Sequence, residues 1–361
     1  MAAALAACAA TGPTPSAPAA AKGGLTATQV PERYVVGDLG KEELDSLASW
    51  TTPEGATWLI ASGKATDRLS VFDADTGKHL RTVGGPGKAP GQFDRPNGVA
   101  VLEDGERALL FVVERDNHRV QVLGLPDFKP LAVFGAERLR SPYGIWLHST
   151  APGAVEAYVT DSFMYGERYD VVPPLAELGQ RVRRFRLTLG EEGISAADAG
   201  DFGDTTEAGA LRMVESLAGD PANDRLLVAD EATGPAPRHS NLREYTLAGR
   251  YTGRSLPEGS FDAEAEGIAL WSCADGSGYW VAVDQLFPLT RFHLFDRRTL
   301  QWRATWKGTT TANTDGITLH AAPTRAFPQG VLFAVHQDRA IAAFDLGEVA
   351  RALKLDPGCA R

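Results

Sequence analysis

The 361-residue chain has only three cysteines, at positions 8, 273 and 359, with no CxxC pair and no zinc-type spacing. Thiol redox chemistry and a structural zinc site therefore have no sequence basis. No apolar run approaches the roughly 18 residues needed to span a membrane as a helix. Basic residues form no dense block and the formal charge is −10, which excludes a nucleic-acid partner on electrostatic grounds. Also missing are a GxSxG elbow, an HExxH helix, a GxxxxGK[ST] loop and a GxGxxG opening a helix. Serine hydrolase, zincin, NTPase and dinucleotide-binding chemistry thus lack their physical anchors. Long amphipathic helices are absent too, and only GEVARALKL, 347–355, carries a helical pattern.

What the chain does have is turns and apolar alternation. Thirty-eight glycines and 22 prolines accompany 43% hydrophobic and 23% charged residues, with a mean hydropathy of −0.18. That composition excludes disorder and collagen. The length exceeds the roughly 250 to 300 residues of one simple core and suits a large barrel or propeller. The acidic balance favours cations over polyanions as direct partners.

Residues 1–30 read as an address and a tether. Leu5-Ala6-Ala7-Cys8 has the small-residue spacing of a lipoprotein cleavage box, and a Pro/Ala/Ser/Thr/Gly stretch follows it. Cys8 would then carry lipid and the protein would be exported, as a periplasmic or outer-membrane lipoprotein or in secreted form. The preceding apolar stretch is short and no basic region leads it, so a plain Ala-rich tail is the alternative. In an oxidising compartment Cys273 and Cys359 could pair; two free buried thiols are the other option.

From residue 31 onward a repeat organises the chain. An alternating apolar segment ending in a turn recurs six times: LSVFDADTG, VQVLGLPDF, VRRFRLTLG, LREYTLAGR, FHLFDRRTL and AIAAFDLGE. Each reads as a strand entering a hairpin. Their fourth core positions are Phe72, Leu123, Phe185, Tyr245, Phe295 and Phe344, spaced by 51, 62, 60, 50 and 49 residues. This is the period of a four-stranded blade, and six of them predict an all-β, six-bladed propeller over 31–361.

A second register supports the first. Five short strands open with a residue, a small residue and an apolar pair: Asn97-Gly98, Tyr143-Gly144, Glu215-Ser216, Glu266-Gly267 and Asp315-Gly316. Glycine inside a strand marks a bend or a close backbone approach, as at the crowded inner strand of a propeller. The residue before it is then placed at the channel mouth. Sixteen to 23 residues later a second strand ends in polar residues: Val113-Glu114-Arg115, Thr160-Asp161-Ser162, Ala229-Asp230-Glu231, Val283-Asp284-Gln285 and His336-Gln337-Asp338, with Ser62-Gly63-Lys64 in the first unit. Whether both sets open on one side depends on loop geometry.

Glu215, Glu231, Glu266, Gln285 and Asp315 are hard oxygen donors from neighbouring units, the kind that Ca²⁺ takes in numbers of about 6 to 8. Clustered carboxylates repel unless a cation joins them. Lys64 and Arg115 stand at matching second-strand ends of the first two units, giving a basic side opposite an acidic one. A phosphorylated ligand fits that polarity. GGPGKAPG, 84–91, reads as a loop between blades despite Lys88; His118, His148 and His336 read as packed or surface histidines, and Trp146, Trp271 and Trp280 as core.

Several segments carry a family resemblance. AEGIALWSCADGSGYWVAVDQ (265–285), NTDGITL (313–319), FPQGVLFAVHQD (327–338), SPYGIWLH (141–148) and VADE (228–231) occur in the order and spacing of the β-propeller phytases, and the chain resembles that family over about 55–345. The resemblance implies a six-bladed, Ca²⁺-dependent phosphatase acting as a monomer on myo-inositol hexakisphosphate or a related ester. It implies several Ca²⁺ ions held by Glu215, Glu231, Glu266, Gln285 and Asp315, with Tyr143 lining the site and Lys64 and Arg115 binding phosphate. Glu215, Glu266 and Tyr143 would be the residues nearest the chemistry, an in-line attack of Ca²⁺-bound water without a covalent intermediate. The chain also departs from the family. LASWTTPEGATWL replaces its early acidic motif, Asp161-Ser162 stands where it has a phosphate-binding lysine, Asn313 replaces an acid, and GPAPRHSN follows Glu231. Loss of a cation and a carboxylate implies a weaker hold on hexakisphosphate or a different ester. GQFDRPNGVAV with ERDNHRVQV resembles NHL-type repeats, which favours a binding module, and a lactonase-like propeller is a further alternative.

Overall fold

The computed structural model describes residues 26–231, 240–356 and 359. Six four-stranded antiparallel sheets follow one another along the chain. The innermost strands are Leu44–Thr51, Pro96–Asp104, Pro142–Ala151, Val214–Asp220, Glu264–Ser272 and Ile317–His320. These are blades one to six of a β-propeller.

Both faces of every blade are covered by neighbours, which explains why second strands such as Arg107–Glu114 read as nearly unbroken apolar runs. Accordingly the core is divided into six seams, one at each interface between adjacent blades. The fourth core positions of the sequence repeat, Phe72, Leu123, Phe185, Tyr245, Phe295 and Phe344, all lie on third strands and all are buried in these seams. Trp271 and Trp280 are buried as expected, whereas Trp146 is only half-buried and lines the axis.

The ring closes by exchange between the chain ends. Blade six takes its outermost strand, Tyr34–Val36, from the N-terminal segment, which pairs antiparallel with Ile341–Ala343. For that reason AIAAFDLGE does not enter a hairpin: the place of a fourth strand is taken, and the chain turns into the helix Leu346–Leu353, with Asp345 as its N-cap accepting from Glu348 N–H at 3.0 Å. Upstream, Thr28–Gln29 adds a fifth, parallel strand to blade five, so pairing begins slightly before the expected boundary at 31. Between these strands the Glu32 carboxylate accepts backbone N–H bonds from Thr309, Thr310 and Thr311. Burial pushes its pKa up, but the bonds from Thr311 and Thr309 outweigh that and lower it to about 2. Cys273 and Cys359 form a disulfide. The expected signal and lipid anchor at Cys8 lie outside the described residues, as does most of GPAPRHSN.

Candidate functional site

In each antiparallel pair the start of the inner strand lies opposite the end of the second: Leu44 with Gly63, Pro96 with Glu114, Pro142 with Asp161, Val214 with Asp230, Ala265 with Asp284. Both polar sets of the sequence therefore open on one face.

Immediately after each of these pairs the register slips by a bulge, and the slip covers Asp45-Ser46, Asn97-Gly98, Tyr143-Gly144, Glu215-Ser216 and Glu266-Gly267. A bulge re-aims a side chain and sharpens the bend. The glycine is needed because each strand start backs against the next blade. A Cβ on Gly144 would meet Glu215 O at 2.2 Å, and one on Gly316 would meet Asp45 O at 2.3 Å. Gly267 N–H and Gly316 N–H donate to Asp315 O and Asp45 O, each at 3.0 Å, joining the ring of mouth residues across blades. Below the mouth the inner strands surround an axial cavity of about 320 Å³ walled by small and aliphatic residues such as Gly98, Gly267, Leu217 and Ile317.

One side chain per blade thus meets at the mouth: Asp45, Asn97, Tyr143, Glu215, Glu266 and Asp315. Asp45 is a correction to the sequence reading, which found no early acid in this chain. It lies two residues before the LASWTTPEGATWL stretch, and its DSLA repeats the ESLA of Glu215 in the same register. Asp45 accepts from Asn97 Nδ2 at 3.0 Å and from the Tyr143 hydroxyl at 3.1 Å. Burial, then the charges of Asp45 and Glu215, raise the Tyr143 pKa and keep that hydroxyl a donor.

Second-strand ends supply a further tier. Lys64 Nζ lies 3.3 Å from Asp45 and 3.2 Å from Asp315. Burial works against its charge, but Asp45 and Asp315 overcome it and its pKa is raised. Gln285 does not offer its oxygen to the cluster, as an oxygen ligand would; its Nε2 donates to Asp315 Oδ1. On the other flank Glu215, Glu231 and Glu266 bring carboxylate oxygens within 4.8 Å of one another. Glu231 is 5% exposed, and its Oε1 has no hydrogen-bond partner among the described residues. Burial raises the pKa of all three; the charge of Asp45 adds for Glu215, and that of Glu215 adds for Glu231 and Glu266. Asp315 is pushed up to about 7, by burial first and then by Asp45, with Lys64 opposing.

Arg115 is not brought to this cluster: it is partly exposed and forks onto its neighbour Asp116 at 2.7 and 3.2 Å. Among the described residues the mouth accordingly has no purely basic side, since Lys64 sits between two aspartates. Sequence reasoning also missed Arg95 and Arg140. Arg95 has a buried Nε without a partner, Arg140 lies 3.8 Å over the Phe163 ring, and neither makes an ion pair among the described residues. The residues just ahead of several tier positions have a structural task. Glu114, Asp161 and Asp230 each pair with an arginine of their own third strand, at 2.8, 3.0 and 3.1 Å, and each accepts backbone N–H bonds from the loop entering its blade. Among the histidines, His118 is exposed and His336 Nδ1 accepts from Ala312 N–H at 3.0 Å, both without a part in the cluster.

Donor chemistry fits a hard divalent cation at the glutamate flank: two buried carboxylates and the half-buried Glu215 converge there, and one oxygen has no partner among the described residues. The cation-free site has a pH signature. Because the Asp315 pKa is higher folded than unfolded, the folded state binds the extra proton, so its contribution to stability is complete below about 4 and is lost as pH rises through about 7. In EDTA the wild type should lose melting temperature relative to Asp315→Asn across that window. Parallel curves for the two proteins would refute the assignment.

No protein-family model matches the chain, and no sequence among curated proteins matches it. Among solved structures it is similar to hydrazine synthase of Kuenenia stuttgartiensis, at 16% identity over 93% of this chain and 83% of that one, with a TM-score of 0.49. A likeness at that level says nothing about chemistry.

Proposed function

We propose that the protein is a divalent-cation-dependent phosphatase acting on a phosphate ester of the myo-inositol hexakisphosphate type, exported from the cell, with Ca²⁺ as the cation. The observation that carries this reading is the triad of half-buried Glu215 with buried Glu231 and Glu266 at the channel mouth, one carboxylate oxygen of which has no partner among the described residues. The resemblance to β-propeller phytases supplies the substrate class.

In this reading the three glutamates hold the cation. Once bound, it supplies Lewis-acid charge at a phosphoryl oxygen. The chain's own groups do the rest. Tyr143, a donor fixed on Asp45, borders the seat. Asp315, titrating near 7, is the carboxylate suited to accept a proton at neutral pH. Arg95 and Arg140 make no ion pair among the described residues and are available to an anionic ester. The bulge and its glycine hold each mouth residue against the next blade, limiting motion of the site. The Cys273–Cys359 disulfide suits an oxidising compartment and supports export.

A second reading, a cation-binding propeller without turnover, is favoured by one observation: Lys64 and Arg115, the two expected phosphate ligands, both engage carboxylates of the chain itself. Inorganic phosphate released from calcium phytate separates the two. Release that EDTA abolishes and added Ca²⁺ restores is the result expected of the phosphatase. A protein that melts higher in Ca²⁺ but releases nothing would be the binding module.

A further inference from the structure

Within the cation-dependent reading above, we infer that Lys64 is a built-in counter-ion that closes half of the mouth to metal, so that the chain binds one divalent cation and not several. The five carboxylates of the mouth, Asp45, Glu215, Glu231, Glu266 and Asp315, divide by how their oxygens are used. On one flank every oxygen of Asp45 and Asp315 is met by a donor of the chain. Asp45 Oδ1 receives the Tyr143 hydroxyl and Lys64 Nζ, and Oδ2 receives Asn97 Nδ2. Asp315 Oδ2 receives Lys64 Nζ, and Oδ1 receives Gln285 Nε2. A metal there would have to expel an ammonium and compete with two amides and a phenol. On the other flank one oxygen is left open: Glu215, Glu231 and Glu266 converge within 4.8 Å, and the buried Glu231 Oε1 has no hydrogen-bond partner among the described residues. Among the described residues the second flank has no cation of its own, and crowded carboxylates out of water need one.

Lys64 suits this task by position. It follows the end of Thr57–Gly63, and its Nζ spans blades one and six, placed 3.3 Å and 3.2 Å from carboxylates that belong to different blades. Its side chain is only 12% exposed, which leaves little of it to reach out for an external phosphate. The ammonium therefore sets the number of ions held and shifts phosphate recognition away from this residue.

The test is the number of Ca²⁺ ions bound per full-length chain, by equilibrium dialysis after EDTA removal. Wild type should bind one, Lys64→Arg one, and Lys64→Met two, because deleting the ammonium exposes Asp45 and Asp315 as a second seat. Glu231→Gln, which keeps Lys64, should lose binding altogether. Two or more ions on wild type, an unchanged count on folded Lys64→Met, or retained binding in Glu231→Gln would each overturn the inference. Wild type binding none would overturn the glutamate seat itself, a separate failure recognisable because Lys64→Met would then be the only chain able to bind.

Discussion

Glu231→Gln is expected to lower calcium-dependent phosphate release by roughly 10²- to 10³-fold, the several kcal/mol that a correctly held metal contributes to charge stabilisation at phosphorus. The same substitution should act with the opposite sign on the cation-free protein. In EDTA the three glutamates crowd together with the pKa of each raised, and an amide in place of Glu231 removes part of the penalty of ionising them side by side. Melting temperature in EDTA should therefore rise while the increment from Ca²⁺ disappears. This pairing separates a ligand from a residue that merely packs, since a packing residue would lower both. Wild-type release at saturating Ca²⁺ would remove Glu231 from the site.

The second large effect concerns stability. Asp161 is fully buried, pairs with Arg183 at 3.0 Å, and accepts the backbone N–H groups of Arg140 and Ser141 on the loop entering blade three. Asp161→Ala leaves two loop amides without their acceptor and takes one of two carboxylates from the buried Arg183, which keeps Asp201, at a cost of about 2–4 kcal/mol. A lower urea midpoint at unchanged slope would show it. Arg115→Ala, at the corresponding end of blade two but on the surface, should stay within about 0.5 kcal/mol. Equal effects would mean that the acid-to-arginine pairs do not anchor the blades.

These two residues also mark what could be read from the chain alone. Phe72 through Phe344 recur at blade period because every third strand must fill a seam on both sides, a local demand that leaves a local signature. Likewise the small residue after Asn97, Tyr143, Glu266 and Asp315 records the carbonyl of the next blade pressing on it, and the mouth positions follow from that. Asp45 carries the same signal in its DSLA, a match to the ESLA of Glu215 that has serine in place of glycine. Other features left no periodic trace. Tyr34–Val36 closes the ring with a strand of three residues, too short to show alternation. Lys64 meets Asp315 across a separation of 251 residues, so its engagement is a product of ring closure and not of spacing. Arg115 matched Lys64 in register, yet the residue beside it, Asp116, captures its guanidinium first. Gln285 presents its nitrogen to Asp315 for a similar reason: a neighbouring carboxylate draws the donor end of the amide.

The most direct measurement is the melting temperature of the full-length protein at pH 7.5 as Ca²⁺ is titrated after EDTA treatment. A ligand bound only by the folded state stabilises by mass action, so about 100-fold excess over the dissociation constant adds roughly 2.7 kcal/mol. The glutamate seat predicts a melting temperature that climbs steadily with the logarithm of Ca²⁺ concentration and falls back on chelation. A melting temperature indifferent to both Ca²⁺ and EDTA would contradict it, and would leave Glu215, Glu231 and Glu266 as buried acids that share protons.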